Sequence, residues 1–282
     1  MLRGIYTGAS GMMVQMHKMD AVANNMANVD LIGYKRDYTA NKAFPELMMR
    51  RLNTDIVERF PVGSIDKAPY LGKLGTGVEL NEVYTDFQQG SMRETENPFD
   101  VALSGTGFFC VQTPQGERYT RNGSFTLDDN GLLVTKDGLP VMGENGYIYL
   151  KLNNFRIDAD GTIYHNPRYA EDPRRLVTMR ENDWEEEEVV DRLRVVDFEE
   201  PRYLRKQGNS LWVNTEYSGQ PETVALGVDR KVHSGFLETS NVNSVEEMVK
   251  MIELNRAYEA NQKSLQAHDS LADKFINDVM RR

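Results

Sequence analysis

At 282 residues the chain can hold one large domain or two smaller ones with a sizeable core. Its net charge of −10 is uneven: residues 181–200 carry ten acidic and two basic side chains, the rest is nearly neutral, and no basic patch with interleaved aromatics marks a nucleic-acid surface. The single cysteine, Cys110, excludes an internal disulfide and a thiolate metal cluster.

In chain order, Gly, Thr and Ser interrupt the opening "MLRGIYTGASGMMVQM", so an ordinary cleaved signal peptide is not expected. No run of 18 apolar residues occurs, so direct membrane insertion is not expected either. Ile5, Ala9, Met12, Met16, Met19, Ala23 and Met26 are spaced alternately by four and three, an unbroken heptad seam that predicts a helix over about 4–28. Asn24, Asn25 and Asn28 crowd its end, where Asn disfavours a helix interior; Asn28 is the expected C-cap and Gly33 permits the turn that follows. The N-terminal helical segment is therefore set at residues 1–35.

Residues 36–77 mix "KAFPELMMRRL" with prolines 45, 61 and 69 and "GKLGTGV", which predicts an extended connector containing at most one short helix. From 78 to 238 come short β-like runs, "FDVAL", "GFFCVQT", "GLLVTKDG", "YIYLKL", "RLRVVDF" and "SLWVN", separated by turn signals such as "DDNG", "KDG", "ENG" and "DADG". Within this predicted β domain the acidic run 181–200 reads as a solvated face. The last segment, 239–282, repeats the helical texture: Met251, Leu254, Tyr258, Asn261, Leu265, His268, Ala272, Phe275 and Val279 alternate by three and four. Ser244 with Glu247 three residues later forms a capping box, placing the helix at Ser244–Met280.

The fold class expected is α+β, with the N- and C-terminal helices paired as a coiled coil around an inserted, mostly β domain. Either helix alone is marginal in water. A pair would still leave Met13, Val22, Val249, Ile252 and Ile276 off the seam, so helices from further copies are expected to cover them.

The residues give no support for catalysis, a metal or a cofactor. His17, His165, His233 and His268 are scattered without ligand spacing. "DADG" lacks the later ligands of a calcium loop and reads as a tight β-turn. "GTGFFC" lacks the third glycine of a dinucleotide fingerprint, "GKLGTG" has its lysine misplaced for a P-loop, and no G-x-S-x-G occurs.

Three blocks carry a resemblance: "GIYTGASGM...MDAVANNMANVDLIGYKR", "FDVALSGTGFFCVQTPQGERYTRNGSFTLDDNGLLVTKDGLPVMG" and "SGFLETSNVNSVEEMVKMIELNRAYEANQKSLQAHD". Together they resemble the bacterial flagellar axial proteins of the rod and hook class. The second and third resemble basal-body rod proteins, the proximal F type or distal G type. Asn24, Asn25, Asn28, Gly33, Tyr34 and Lys35 match the N-terminal signature; Asn241, Asn243, Glu247 and Arg256 match the C-terminal one. Leu31-Ile32 and "SGTGFF" depart from the family pattern and tilt the assignment slightly towards the proximal type.

The resemblance implies a non-enzymatic structural subunit of the periplasmic rod in the flagellar basal body. It would be exported by the type III apparatus without a cleaved signal. Its partners would be copies of itself and neighbouring rod proteins, assembled helically into a torque-transmitting tube that contains the export channel. A hook or hook-associated protein, and a coiled-coil adaptor that never polymerises, stand as alternatives.

Overall fold

The computed structural model describes residues 2–50, 57–60, 63–66, 70–169, 187–208, 210–227 and 230–280. It is α+β, with a helix near each end, α1 (Leu2–Ala27) and α2 (Ser244–Met280), and a mostly β middle. The start of α2 coincides with the Ser-x-x-Glu signature, and Glu247 is buried there. Among the described residues no helix is long and apolar enough to cross a membrane.

Two compact units divide the chain. One comprises residues 1–24, 38–83 and 245–282; the other comprises 25–37 and 84–244.

In the first unit, the segment expected to be a connector is strand-rich. Leu47–Arg50 pairs antiparallel with Tyr70–Leu74, and Val57–Phe60 pairs with Gly63–Asp66. The short helix allowed for in "KAFPELMMRRL" is replaced by the strand Leu47–Arg50, all four residues of which are exposed. The reason is pairing: a segment of four residues gains little from a single helical turn, whereas the antiparallel partner bonds the backbone groups that face it. Pro61 and Pro69 lie outside the described residues.

The second unit is built on a six-stranded antiparallel sheet. Its order is Arg205–Lys206, Leu211–Val213, Gly116–Thr120, Phe108–Thr113, Val195–Asp197 and Glu222–Thr223. The run "FFCV" explains the layering, because alternate side chains leave opposite faces of a strand. Phe109 and Val111 enter one core with Phe125, Leu133, Ile148, Ile163 and Val195; Phe108 and Cys110 enter another with Tyr119, Val196, Phe198 and Trp212. Edge-to-face rings join the second core, with Tyr119 and Phe198 centroids 4.8 Å apart. Over Phe108–Val111 the strand is buried on both faces, and there it is continuously apolar.

"DADG" is a tight turn. The Gly161 N–H donates to Asp158 O at 2.9 Å, joining strand Arg156–Ile157 to Thr162–His165. The Thr162 amide donating to Asp160 holds that carboxyl below the usual carboxylate range. Much of the acidic segment is not a solvated face. Leu193, Val195, Val196 and Phe198 are core residues, and buried Asp191 accepts from the Asn145 side chain at 2.9 Å. The segment alternates, so its acidic residues conceal a strand with an apolar inner face. Residues 181–186 lie outside the described residues.

Candidate functional site

The first unit brings α1 and α2 side by side, antiparallel. A Cβ on Gly4 would lie 2.8 Å from His268 Nε2, and one on Gly11 would lie 3.1 Å from Asn261 Nδ2. Seven residues forward on α1 correspond to seven backward on α2, one heptad. A Cβ on Gly8 would also meet Asn261, 4.0 Å from its carbonyl oxygen. Lacking side chains, Gly4 and Gly11 leave room for the His268 and Asn261 side chains of α2 against α1.

The seam residues fall into two sets. On α2, Met251, Leu254, Tyr258, Leu265 and Ala272 are half-buried at the expected spacing, and Phe275 is exposed. On α1, Ile5, Met12, Met19 and Met26 are half-buried, whereas Met16 and Ala23 are exposed. The covered stripe of α1 also takes in Gly4, Gly8, Gly11, Gln15, Lys18 and Val22, each one position before a seam residue. Val22, placed off the seam by periodicity, is buried, while Met13, Val249, Ile252 and Ile276 are exposed. An apolar count could not find this offset, because glycine carries no hydrophobic signal.

The second unit gathers the sequence signatures into a buried polar junction. α1 ends at Ala27, and successive i to i+3 turns follow: Asn28 N–H to Asn25 O, Leu31 N–H to Asn28 O, and Tyr34 N–H to Leu31 O. Gly33 has φ +66°, and its N–H donates to Glu238 O at 2.8 Å. A Cβ there would lie 2.6 Å from the Arg121 carbonyl carbon, so the position requires glycine. Asn25 is buried. Its Nδ2 donates to Asp37 O at 2.9 Å, and its Oδ1 accepts the Asp37 N–H at 2.9 Å and the Tyr34 hydroxyl at 3.2 Å. The asparagine that reads as a helix-ending residue thus ties the turn to the strand beyond it.

Lys35 lies at the centre, fully buried. Its ammonium donates to Glu238 Oε1 at 2.6 Å and to Gln88 O at 2.7 Å. Glu238 Oε1 also accepts the Gly90 N–H at 3.0 Å, and Arg121 Nη1 stands 3.5 Å from Oε2. Burial pushes the Lys35 pKa down, with Glu238 opposing it and the nearby Arg121 adding to it. Burial likewise lowers Arg121, again against Glu238. Beside them Lys206 Nζ lies 2.8 Å from both Asp37 carboxylate oxygens and 4.5 Å from the Tyr34 ring centroid. Asn241 accepts the Arg36 N–H at 2.8 Å and donates to Asp86 O at 3.0 Å. Asn243 and Arg256 are exposed. Leu31 is half exposed, and nothing in the structure explains it.

Sequence reasoning missed Glu238, Arg121, Lys206 and Asp37. The available signal was the match of Lys35 to the N-terminal signature, since a buried lysine requires an anion. The junction offers no nucleophile with an adjacent base. Among the described residues no group of three His, Cys, Asp or Glu side chains could hold a metal ion. Its chemistry is that of a clamp, holding residues 33–37 against 238–241.

Three families match along the chain: Flagella basal body rod protein at residues 5–35, Flagellar hook protein FlgE/F/G D1 domain at 102–165, and Flagellar basal body rod FlgEFG protein C-terminal at 233–279. The chain is 34% identical to the flagellar basal-body rod protein FlgG of Buchnera aphidicola subsp. Schizaphis graminum, covering 98% of this chain and 99% of that protein. It is 31% identical to FlgG of Borreliella burgdorferi over the full length of both. The similarity to the rod protein FlgF of Caulobacter vibrioides is 33%, over 91% of this chain and 89% of that one.

Proposed function

This chain belongs to the flagellar basal-body rod proteins of the F or G type, structural subunits of the rod, and from that premise we propose that it polymerises helically through its first unit. The observation that carries this is where the apolar surface lies. Met13, Met16, Val249, Ile252 and Phe275 on the helices, and Leu47, Met48, Tyr70 and Leu71 on the hairpin, are exposed, while the second unit has two buried apolar cores and, among the described residues, exposes fewer large apolar side chains, Tyr147, Leu152 and Tyr217 among them. Apolar surface on this scale marks an interface, and a two-stranded hairpin is at best marginal in water without one.

In this proposal α1 and α2 pair as a coiled coil whose remaining faces are covered by copies of the chain and by neighbouring rod proteins. Ile5, Met12, Met16, Met19, Ala23 and Met26, with Met251, Leu254, Tyr258, Leu265, Ala272 and Phe275, supply the contacts within and between subunits. The chain reaches the periplasmic rod through the type III export apparatus, and the assembly transmits torque around an export channel. Its role needs no catalytic group. The clamp around Lys35 holds the chain leaving α1 in register with the chain entering α2.

The test is complementation. In a strain deleted for this subunit the chain should restore swimming and be found in isolated basal bodies. Met16→Asp with Met19→Asp should abolish both while leaving the unfolding midpoint of the second unit unchanged. Restored basal bodies carrying the double variant would refute the assembly role.

A further inference from the structure

The sulfur atoms of the chain are divided between its two units. Among the described residues the exposed methionines are Met13, Met16, Met48, Met49 and Met248, from 39% to 72% exposed, and all lie in the first unit. In the second unit Met26, Met92 and Met142 are half-buried, and Met142 packs against the core that holds Trp212. Methionine commonly fills gaps in a core, where its thioether is out of reach of solvent. Here Met13 and Met16 stand three residues apart on α1 and so share a face of that helix. Met48 belongs to the strand Leu47–Arg50, every residue of which is exposed. Leucine would give either surface similar apolar area; methionine adds a sulfur that can be oxidised.

The thiol offers no competing target. Cys110 is the chain's single cysteine, it is fully buried, and burial raises its pKa, so the reactive thiolate is suppressed at neutral pH. A peroxide that reaches the folded chain therefore meets exposed thioethers first. The sulfur forms a bond to one peroxide oxygen as the O–O bond breaks. Sulfur loses two electrons, and the other oxygen leaves as water. The product carries a polar S=O group where the surface was apolar, a change that disrupts methionine-rich contacts. A methionine sulfoxide reductase reverses the step at the expense of a dithiol, which becomes a disulfide as the oxygen departs as water.

We propose that Met13, Met16 and Met48 form a modification site, oxidised by hydrogen peroxide to methionine sulfoxide in the unassembled subunit and restored by methionine sulfoxide reductases. The site is open while the chain is free and closes when its apolar surface is covered. The closing rests on the rod-subunit reading; the oxidation of the free chain does not.

Purified full-length chain treated with hydrogen peroxide, then digested and followed by mass spectrometry, tests the site. Met13, Met16 and Met48 should each gain one oxygen about tenfold faster than Met142, and the difference should vanish in denaturant. Equal rates in the folded chain would overturn the proposal. Incubation with the reductases for both sulfoxide epimers and dithiothreitol should remove the added oxygen; sulfoxide that persists would overturn the restoration. In basal bodies isolated from the complemented strain, the same peroxide should oxidise the three residues about tenfold more slowly than in the free chain. Oxidation there at the free-chain rate would overturn the closing of the site. Absence of the chain from basal bodies would remove the rod-subunit reading and the closing with it, while the oxidation stands or falls by the first measurement.

Discussion

Replacing Glu238 by Gln tests whether the buried junction is held by charge. The substitution preserves the shape of the side chain and an acceptor for the Gly90 N–H. It removes the anion that faces the Lys35 ammonium at 2.6 Å and the Arg121 guanidinium at 3.5 Å. Two buried cations then lack a counter-charge, and breaking one side of such a pair costs about 3–5 kcal/mol. With a urea dependence of about 1–3 kcal/mol per molar, the midpoint should fall by roughly 2 M. Lys35→Met should cost less, because burial already disfavours the lysine charge and Glu238 keeps Arg121. The double variant Lys35→Met with Glu238→Gln should cost less than Glu238→Gln alone, because only Arg121 then lacks its counter-charge and the Gly90 N–H keeps an acceptor. Urea unfolding followed by the fluorescence of buried Trp212, in a Trp184→Phe background, reads all three. A loss below about 1 kcal/mol for Glu238→Gln would refute the assigned role of the pair, as would a double variant no better than the single one.

The pH dependence has a definite sign. Burial lowers the Lys35 pKa beneath its usual 10.5, so the unfolded chain holds that proton over more of the alkaline range. Stability referred to Lys35→Met should therefore rise with pH towards 10.5. Gly33→Ala places a side chain at φ +66° and 2.6 Å from backbone, and should lower stability by at least about 1–3 kcal/mol in a thermal melt. Cys110 is fully buried with its pKa raised by burial, so it should resist iodoacetamide at pH 8 until denaturant unfolds the chain. Removing residues 1–24 should leave a monomer that keeps the Trp212 emission of the intact chain but cannot assemble; extending the deletion to 28 removes Asn25 and should also lower the unfolding midpoint.

Periodicity alone determined both helices, because a heptad seam or a Ser-x-x-Glu start is a local property of the chain. It also determined the strand at "GFFCVQT" and the turn at "DADG", where apolar runs and glycine placement act over a few residues. The tertiary structure decided what depends on a distant partner. Strand pairing gave Leu47–Arg50 its conformation, and a core turned Asp191, Leu193, Val195, Val196 and Phe198 of the acidic segment inward. The close approach of α1 to α2 falls on Gly4 and Gly11, residues with no hydrophobic signal to read. The central ion pair joins Lys35 to a carboxylate 203 residues away. A charged side chain carries no local mark of burial, and only the folded backbone brings its counter-charge within reach.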